Sequence, residues 1–304
     1  MPSSARNRRK PAPVQQTDAA DRSLDPAARE FEFSALDFER VRKLIYQHAG
    51  IALNDSKSNM VYSRLARRLR ARGVRRFEDY LRLLETDHLG EREAFINSLT
   101  TNLTAFFRES HHFPILAERI KAVARQREAV LWCAAASTGE EPYSMAIAAM
   151  EALTSMTPRV RILASDIDTH VLAHASQGLY EASAVAKLDP DRLRRYFLRR
   201  TGADGDCYQV RPEVQALVTF RRINLLDGAW PVRGPLDAIF CRNVMIYFDK
   251  PTQRRVVERF VPLLAPGGLL FTGHSENLAY VRELVEPCGR TVYARVRSAG
   301  RPTE

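Results

Sequence analysis

The stretch "CAAASTGEEPYSMAI", Cys133 to Ile147, follows the apolar run "AVLW" and opens a helical pattern. In an open α/β sheet a ligand sits beyond the carboxyl ends of the strands, so this is a cofactor position. The stretch holds one glycine, Gly139, and no GxGxxG of the kind that cradles a pyrophosphate. Glu140 and Glu141 stand at the helix start, where Pro142 is tolerated in the first turn. Two carboxylates there repel a phosphate and suit a ligand carrying a cationic group. S-adenosylmethionine has an ammonium and no phosphate. The plain alternative is simple capping by Glu140 and Glu141.

Other strand ends add chemistry. "ASDID" places Asp166 to accept both hydroxyls of a ribose, about 25 positions after the loop, a spacing that fits an NAD site as well as an S-adenosylmethionine site. Its alternative is a capping Asp for the helix that follows. In "INLLD", Asn224 could hydrogen-bond an adenine edge, or be an ordinary turn residue. "CRNVMIYFD" sets Arg242, Asn243 and Tyr247 where cofactor and substrate should meet. Upstream, "TTNLTAFFRESHHF" offers Asn102, Thr104 and Arg108 with two phenylalanines, able to cover a cofactor from the N-terminal side or merely to pack between domains. His111 and His112 have no third ligand at a useful spacing, so no metal site is expected.

The elements that must hold these residues are legible from periodicity. Residues 1–30 are rich in Pro, Ser, Ala and charge and read as a disordered tail. Residues 31–100 carry helical spacing: "FSALDFERVRKLIYQHAGI" with a Gly50 stop, "SKSNMVYSRLARRLRARG" with a Ser/Asn-type cap and a Gly73 stop, then "RFEDYLRLLETD" and "EREAFINSLT". Residues 101–128 read as a linker with a helix. From 129 to 298, "AVLWCAAA", "RVRILASD", "VTFRRINL", "LDAIFCRN" and "GLLFTGHS" alternate with helical segments, the rhythm of a parallel α/β sheet. "TVYARVR" reads as a last, edge strand. Residues 182–222 break that rhythm with turn chemistry at "TGADGD", and read as an inserted β-hairpin subdomain.

Composition bounds the setting. The chain has 304 residues, 45% hydrophobic, enough for two domains. No apolar run reaches the ~18 residues of a membrane span. The N-terminal basic cluster has no apolar stretch behind it, so no secretory signal is expected. Four scattered cysteines, Cys133, Cys207, Cys241 and Cys288, read as reduced thiols of a cytoplasmic protein. The formal charge of +10 suits a polyanionic or acidic partner. Arg64, Arg68, Arg72 and Arg75 share one helix face, which is either a solvated face or a docking surface for such a partner.

Taken together, "SLTTNLTAFFRESHHFPIL", "AAASTGEEPYSMAI", "ASDIDTHVL", "DAIFCRNVMIYFDK" and "GGLLFTGHSENL" resemble the CheR-type chemotaxis receptor methyltransferases over about residues 35 to 296. The resemblance implies a Rossmann-like, S-adenosylmethionine-dependent methyltransferase sheet with an all-helical N-terminal domain and a β-subdomain. It implies methylation of glutamate side chains on methyl-accepting chemotaxis receptors. Carried over by position, the cofactor contacts fall on Asn102, Thr104, Arg108, Glu141, Asp166, Asn224, Leu225, Arg242 and Asn243, with Arg108 and Tyr247 nearest the transferred methyl. Receptor methylation helices are acidic, so Arg64, Arg68 and Arg72 become candidates for steering onto them. The β-subdomain becomes a candidate tether for a receptor C-terminal peptide.

Two rivals remain at this point. A nucleic-acid amino-methyltransferase would carry (N/D)PP(Y/F) where this chain has "RNVMIYFD", and a cytosine-C5 enzyme needs a nucleophilic cysteine, whereas Cys241 lies within a strand. A non-catalytic binder that keeps the cofactor pocket is the other, against which Arg108 and Tyr247 both count.

Overall fold

The computed structural model describes residues 29–86, 90–202 and 205–296. Most of the expected disordered tail, and the middle of the "TGADGD" turn, lie outside the described residues. Arg29 and Glu30 are not part of a loose tail. Arg29 stacks over the Tyr62 ring, 4.7 Å from its centroid, and Glu30 pairs with Arg70 at 2.7 Å.

Four helices form the N-terminal layer: α1 (Ala35–Ala49), α2 (Ser58–Arg72), α3 (Phe77–Thr86) and α4 (Glu91–Leu99). Ser34 and Asp37 close a capping box on α1, and Gly50 ends it in the left-handed conformation at φ 69°. α2 departs from the expected capping: its N-cap is Lys57, with no side-chain bond, because a 3-10 turn at Asp55–Lys57 leads into it. Val41, Ile45, Leu65, Leu69, Tyr80 and Phe95 interlock as a separate core.

The arginine face of α2 is covered rather than solvated. Glu91, at the start of α4, is only 2% exposed. Arg68 grips its carboxylate with Nε and a terminal nitrogen at 2.9 and 2.7 Å, Arg72 adds Nε at 3.0 Å, and the Tyr80 hydroxyl donates at 2.8 Å. Arg64 donates to the Thr100 carbonyl at 2.7 Å. A carboxylate this deep is tolerable only with such partners. The reading of Arg64, Arg68 and Arg72 as a free docking surface is therefore corrected: they clamp α2 onto α4 and onto the chain that leaves it.

After α5 (His112–Ala124), the main sheet runs through β1 (Ala129–Cys133), β2 (Val160–Asp166), β6 (Val218–Arg222), β7 (Leu236–Phe240), β8 (Leu264–Phe271), β9 (Val285–Gly289) and β10 (Val292–Arg295), in the order β6-β2-β1-β7-β8-β10-β9. β6, β2, β1, β7 and β8 are parallel neighbours. The helices α6 (Glu140–Leu153), α7 (Thr169–Gln177) and α11 (Lys250–Phe260) fill the crossovers. Alternation sends Leu131, Cys133 and Phe240 into the core under α5 and α6, and Trp132, Ile239 and Cys241 into the core under α11. The strand order reverses between β1 and β7, the switch point at which an open sheet binds ligands.

Two boundaries differ from expectation. "TVYARVR" forms β10, antiparallel to β8, but it is not the edge, because β9 pairs on its far side. The inserted segment begins earlier and ends sooner than 182–222: β3 (Leu179–Glu181), β4 (Phe197–Gly202) and β5 (Gly205–Val210) make the small sheet β3-β5-β4, whereas β6 pairs in parallel with β2 in the main sheet. Between them lie the short helices α8 (Ala182–Val185), α9 (Pro190–Tyr196) and α10 (Pro212–Gln215).

Candidate functional site

The carboxyl ends of β1, β2, β6 and β7 open into one cleft of about 900 Å³, its open side included, roofed by the seam with the helical layer. Asn102, Thr104, Arg108, Glu141, Asp166, Asn224, Leu225, Arg242, Asn243 and Tyr247 all line it. The roof comes from Ala49, Ile51 and residues 99–104. Several hydrogen bonds hold the seam: Thr100 and Asn102 donate to Asp168 at 2.8 and 2.9 Å, Asn224 donates to the His48 carbonyl at 2.8 Å, and the Ala52 N–H donates to the Tyr247 carbonyl at 2.8 Å.

Asp166 ends β2 with each carboxylate oxygen taking one backbone donor, Ser137 N–H at 2.8 Å and Asp168 N–H at 3.0 Å. A carboxylate has about four lone-pair sites, so both oxygens keep capacity for a ligand's hydroxyls. Burial raises its pKa even against those donors. The capping alternative for Asp166 is excluded, since Asp168 caps α7 instead. Asn224 has half its amide committed, to His48 and to the Leu226 N–H at 3.0 Å, which leaves one N–H and one lone pair for a ligand.

Glu141 faces the cleft but is not a bare anion. Arg242, 3% exposed, donates to it at 2.8 Å and to the Arg108 carbonyl at 2.7 Å. Burial raises the Glu141 carboxyl and Arg242 opposes that. Glu140 turns away and accepts from Thr138 at 2.7 Å. Gly139 serves packing rather than ligand approach: at φ 100°, a Cβ there would meet the Tyr180 hydroxyl at 2.7 Å and the Ala175 Cβ at 2.9 Å. The turn that faces the cleft is made by Ser137, left-handed at φ 48°.

Strain gathers around this site. Phe107 and Glu109, on either side of Arg108, have φ of 52° and 53°, and Asn243 has φ 57°. Non-glycine residues hold this conformation at a cost of about 1–3 kcal/mol where surroundings impose it. Here the Phe107 N–H is fixed to the Ser144 hydroxyl at 2.9 Å. Phe106 packs edge-on against Tyr180 and Phe197 of the small sheet, so both phenylalanines do serve packing, while Arg108 stays at the cleft with one bond, to the Leu103 carbonyl at 3.0 Å.

A residue that sequence reasoning passed over controls the loop after β7. Glu276, 5% exposed, accepts from the N–H groups of Gly273, Asn243 and Ile246 at 2.5, 2.8 and 3.3 Å. It thereby sets the backbone from which Asn243 and Tyr247 enter the cleft. Its signal was a lone acid between a strand-ending "TGHS" and a loop, too common to single out. The cysteines stand aside: Cys133 and Cys241 are buried free thiols outside the cleft lining, pushed well up in pKa by burial, and neither is a nucleophile.

Glu109 supplies a third group beside His111 and His112, the three ligand atoms lying within 4.8 Å of one another. The spacing i, i+2, i+3 looked unusable on a regular element, but Glu109 is left-handed and not helical.

Among the described residues, no helix is long and apolar enough to cross a membrane. Residues 36–100 match the CheR methyltransferase all-alpha domain, and residues 102–294 match the CheR methyltransferase SAM binding domain. A chemotaxis protein methyltransferase of Klebsiella aerogenes is 53% identical over 272 residues, covering 89% of this chain and 93% of that one. Chemotaxis protein methyltransferase 2 of Pseudomonas aeruginosa is 51% identical over 88% of this chain and 95% of its own. The chemotaxis protein methyltransferase of Escherichia coli is 53% identical over 84% and 90%. With a cleft at the sheet's switch point and both family domains matched along it, the chain belongs to the CheR methyltransferases, S-adenosylmethionine-dependent enzymes of chemotaxis.

Proposed function

We propose that this enzyme methylates glutamate side-chain carboxylates on the cytoplasmic part of chemotaxis receptors, leaving glutamate methyl esters and S-adenosylhomocysteine. The observation that carries the reading is the division of labour between two arginines. Arg242 is locked in the wall by Glu141, while Arg108 stands at the cleft with one backbone bond, held between two left-handed residues. That leaves the Arg108 guanidinium available to a carboxylate.

The residues present fit the cofactor's groups. Asp166 would hold the ribose hydroxyls. Glu141 would face the ammonium, with Arg242 behind it in the cleft wall. Asn102, Thr104 and Asn243 would line its path, with the adenine against Asn224 and Leu225. When bound, the cofactor supplies a methyl on a sulfonium, whose departure leaves a neutral thioether and calls for no metal. A glutamate has an ordinary pKa of about 4.3 and arrives ionised, so no general base is required. The protein's task is closeness and alignment. Arg108 holds the incoming carboxylate and Tyr247, set by Glu276, orients it.

Receptor docking belongs to the exposed part of the α2 region, Arg67 and Arg75, rather than to the clamped Arg68 and Arg72. The small sheet ends in an open strand, β4, which can accept a receptor C-terminal segment by strand addition. The test is incubation with S-adenosylmethionine and a receptor cytoplasmic fragment, followed by peptide mass mapping. Methyl groups on glutamate support the proposal; methyl groups confined to lysine, asparagine or added nucleic acid refute it.

A further inference from the structure

Behind the cleft, outside its lining, three ligand-type atoms converge with nothing bonded to them. Glu109 Oε2, His111 Nε2 and His112 Nδ1 are each buried and without a hydrogen-bond partner. Orphaned buried polar atoms are rare, and three facing one another are harder to explain by chance. The His112 side chain is fully buried. Its Nδ1 lies 4.0 Å from Glu109 Oε2.

The surroundings orient each of these groups. His112 Nε2 lies 2.9 Å from the Thr291 hydroxyl, which itself donates to the Arg290 carbonyl at 2.7 Å. With the hydroxyl proton so engaged, Nε2–H can donate to that oxygen, the tautomer that leaves the lone pair on Nδ1. Glu109 Oε1 takes the His274 N–H at 3.1 Å, which turns Oε2 inward. Residues that bond the far side of a metal ligand and fix its direction are the usual companions of a metal site. The His111 and His112 rings lie 4.2 Å apart between centroids, and one ligand-type atom of each of the three residues lies within 4.8 Å of the others.

We propose that Glu109, His111 and His112 form a site for a borderline-soft divalent metal such as zinc or cobalt, with one or more coordination positions open to water. Two imidazoles and one carboxylate suit that class over magnesium or calcium, which prefer all-oxygen shells. In tetrahedral zinc coordination the ligand atoms lie about 3.3 Å apart, from bond lengths of about 2.0–2.1 Å. Glu109 Oε2 and His112 Nδ1 stand 4.0 Å apart and the three ligand atoms lie within 4.8 Å of one another, so binding needs closure of up to about 1.5 Å. Arg242 is the competing charge, its nearest nitrogen 3.6 Å from Glu109 Oε2. It is balanced by Glu141 at 2.8 Å, so the Glu109 carboxylate leaves one net negative charge beside the two rings. An ion here would pin the loop that carries Arg108 to the start of α5.

The test is titration of the full chain, free of metal, with cobalt(II) and zinc(II). Calorimetry and the visible bands of cobalt give stoichiometry, and a thermal melt gives the linked stabilisation. The expected result is one equivalent bound, a higher melting temperature with zinc and none with magnesium. His111→Ala and Glu109→Gln, each checked for native circular dichroism, should each weaken binding at least tenfold. His111 and Glu109 are less buried than His112, so at least one variant should fold. Absence of saturable binding, or undiminished binding in a folded variant, overturns the site.

Discussion

Replacing Arg68 by alanine separates two roles for the arginine-rich helix. Glu91 is 2% exposed and receives four bonds, two of them from Arg68 at 2.9 and 2.7 Å. Removing Arg68 leaves a buried carboxylate held by Arg72 and Tyr80 alone. Breaking a buried ion pair costs about 3–5 kcal/mol. The Arg68 side chain is 25% exposed, so water can re-enter on its side, and about 2–3 kcal/mol is the appropriate figure. In a chain of 304 residues that lowers the melting temperature by roughly 3–5 °C. The assay pairs a circular-dichroism melt with receptor methylation measured well below both transitions. The expected outcome is a lowered melting temperature with methylation per folded molecule within about twofold of the parent, the residual loss being the minor share of long-range steering. A variant that melts like the parent yet methylates several-fold more slowly would refute the structural role and restore Arg68 as a docking residue.

Further predictions follow from the cleft. Asp166→Asn should weaken S-adenosylmethionine binding by on the order of ten- to a hundredfold, the loss of one or two charge-assisted bonds. Burial raises the Asp166 carboxyl, so it protonates at a higher pH than an ordinary aspartate; cofactor affinity should fall on acidification sooner than a carboxyl of about 3.9 would allow, and the asparagine variant should lose that dependence in a calorimetric pH series. Arg108→Ala should lower the rate by about a hundredfold or more with an unchanged melting temperature, which single-turnover kinetics would show. Glu276→Gln keeps the shape but weakens the bonds that set the loop of Tyr247; kcat should drop by about tenfold or more, with S-adenosylmethionine affinity affected less, and an equal loss in both would contradict the positioning role.

Much of the site was legible because short apolar runs ending in polar residues mark strand ends, and strand ends in such a sheet converge. That logic brought Glu141, Asp166, Asn224 and Arg242, from four separate strand ends, into one lining. Other features depend on what lies opposite, which periodicity does not encode. The spacing of Arg64, Arg68 and Arg72 shows a shared face but not that Glu91, 23 residues beyond Arg68, covers it. Gly139 sat in the right loop, yet the reason for a glycine is Tyr180 and Ala175 packed behind it. The pattern of "VTFRRINL" reads as a strand of the parallel sheet, which its pairing with β2 bears out, but periodicity does not show that the insertion stops before it. Glu109 was missed beside His111 and His112 because regular spacing was assumed where the backbone turns left-handed.

The central claim is that the cleft delivers a methyl group to a carboxylate oxygen. The most direct measurement uses S-adenosylmethionine radiolabelled in the methyl, receptor-containing membranes and this enzyme, followed by mild alkali. The account predicts label on the receptor that is released as volatile methanol, the signature of a carboxyl ester. Label that enters protein or nucleic acid but resists alkali would place the methyl on nitrogen or carbon and contradict the account.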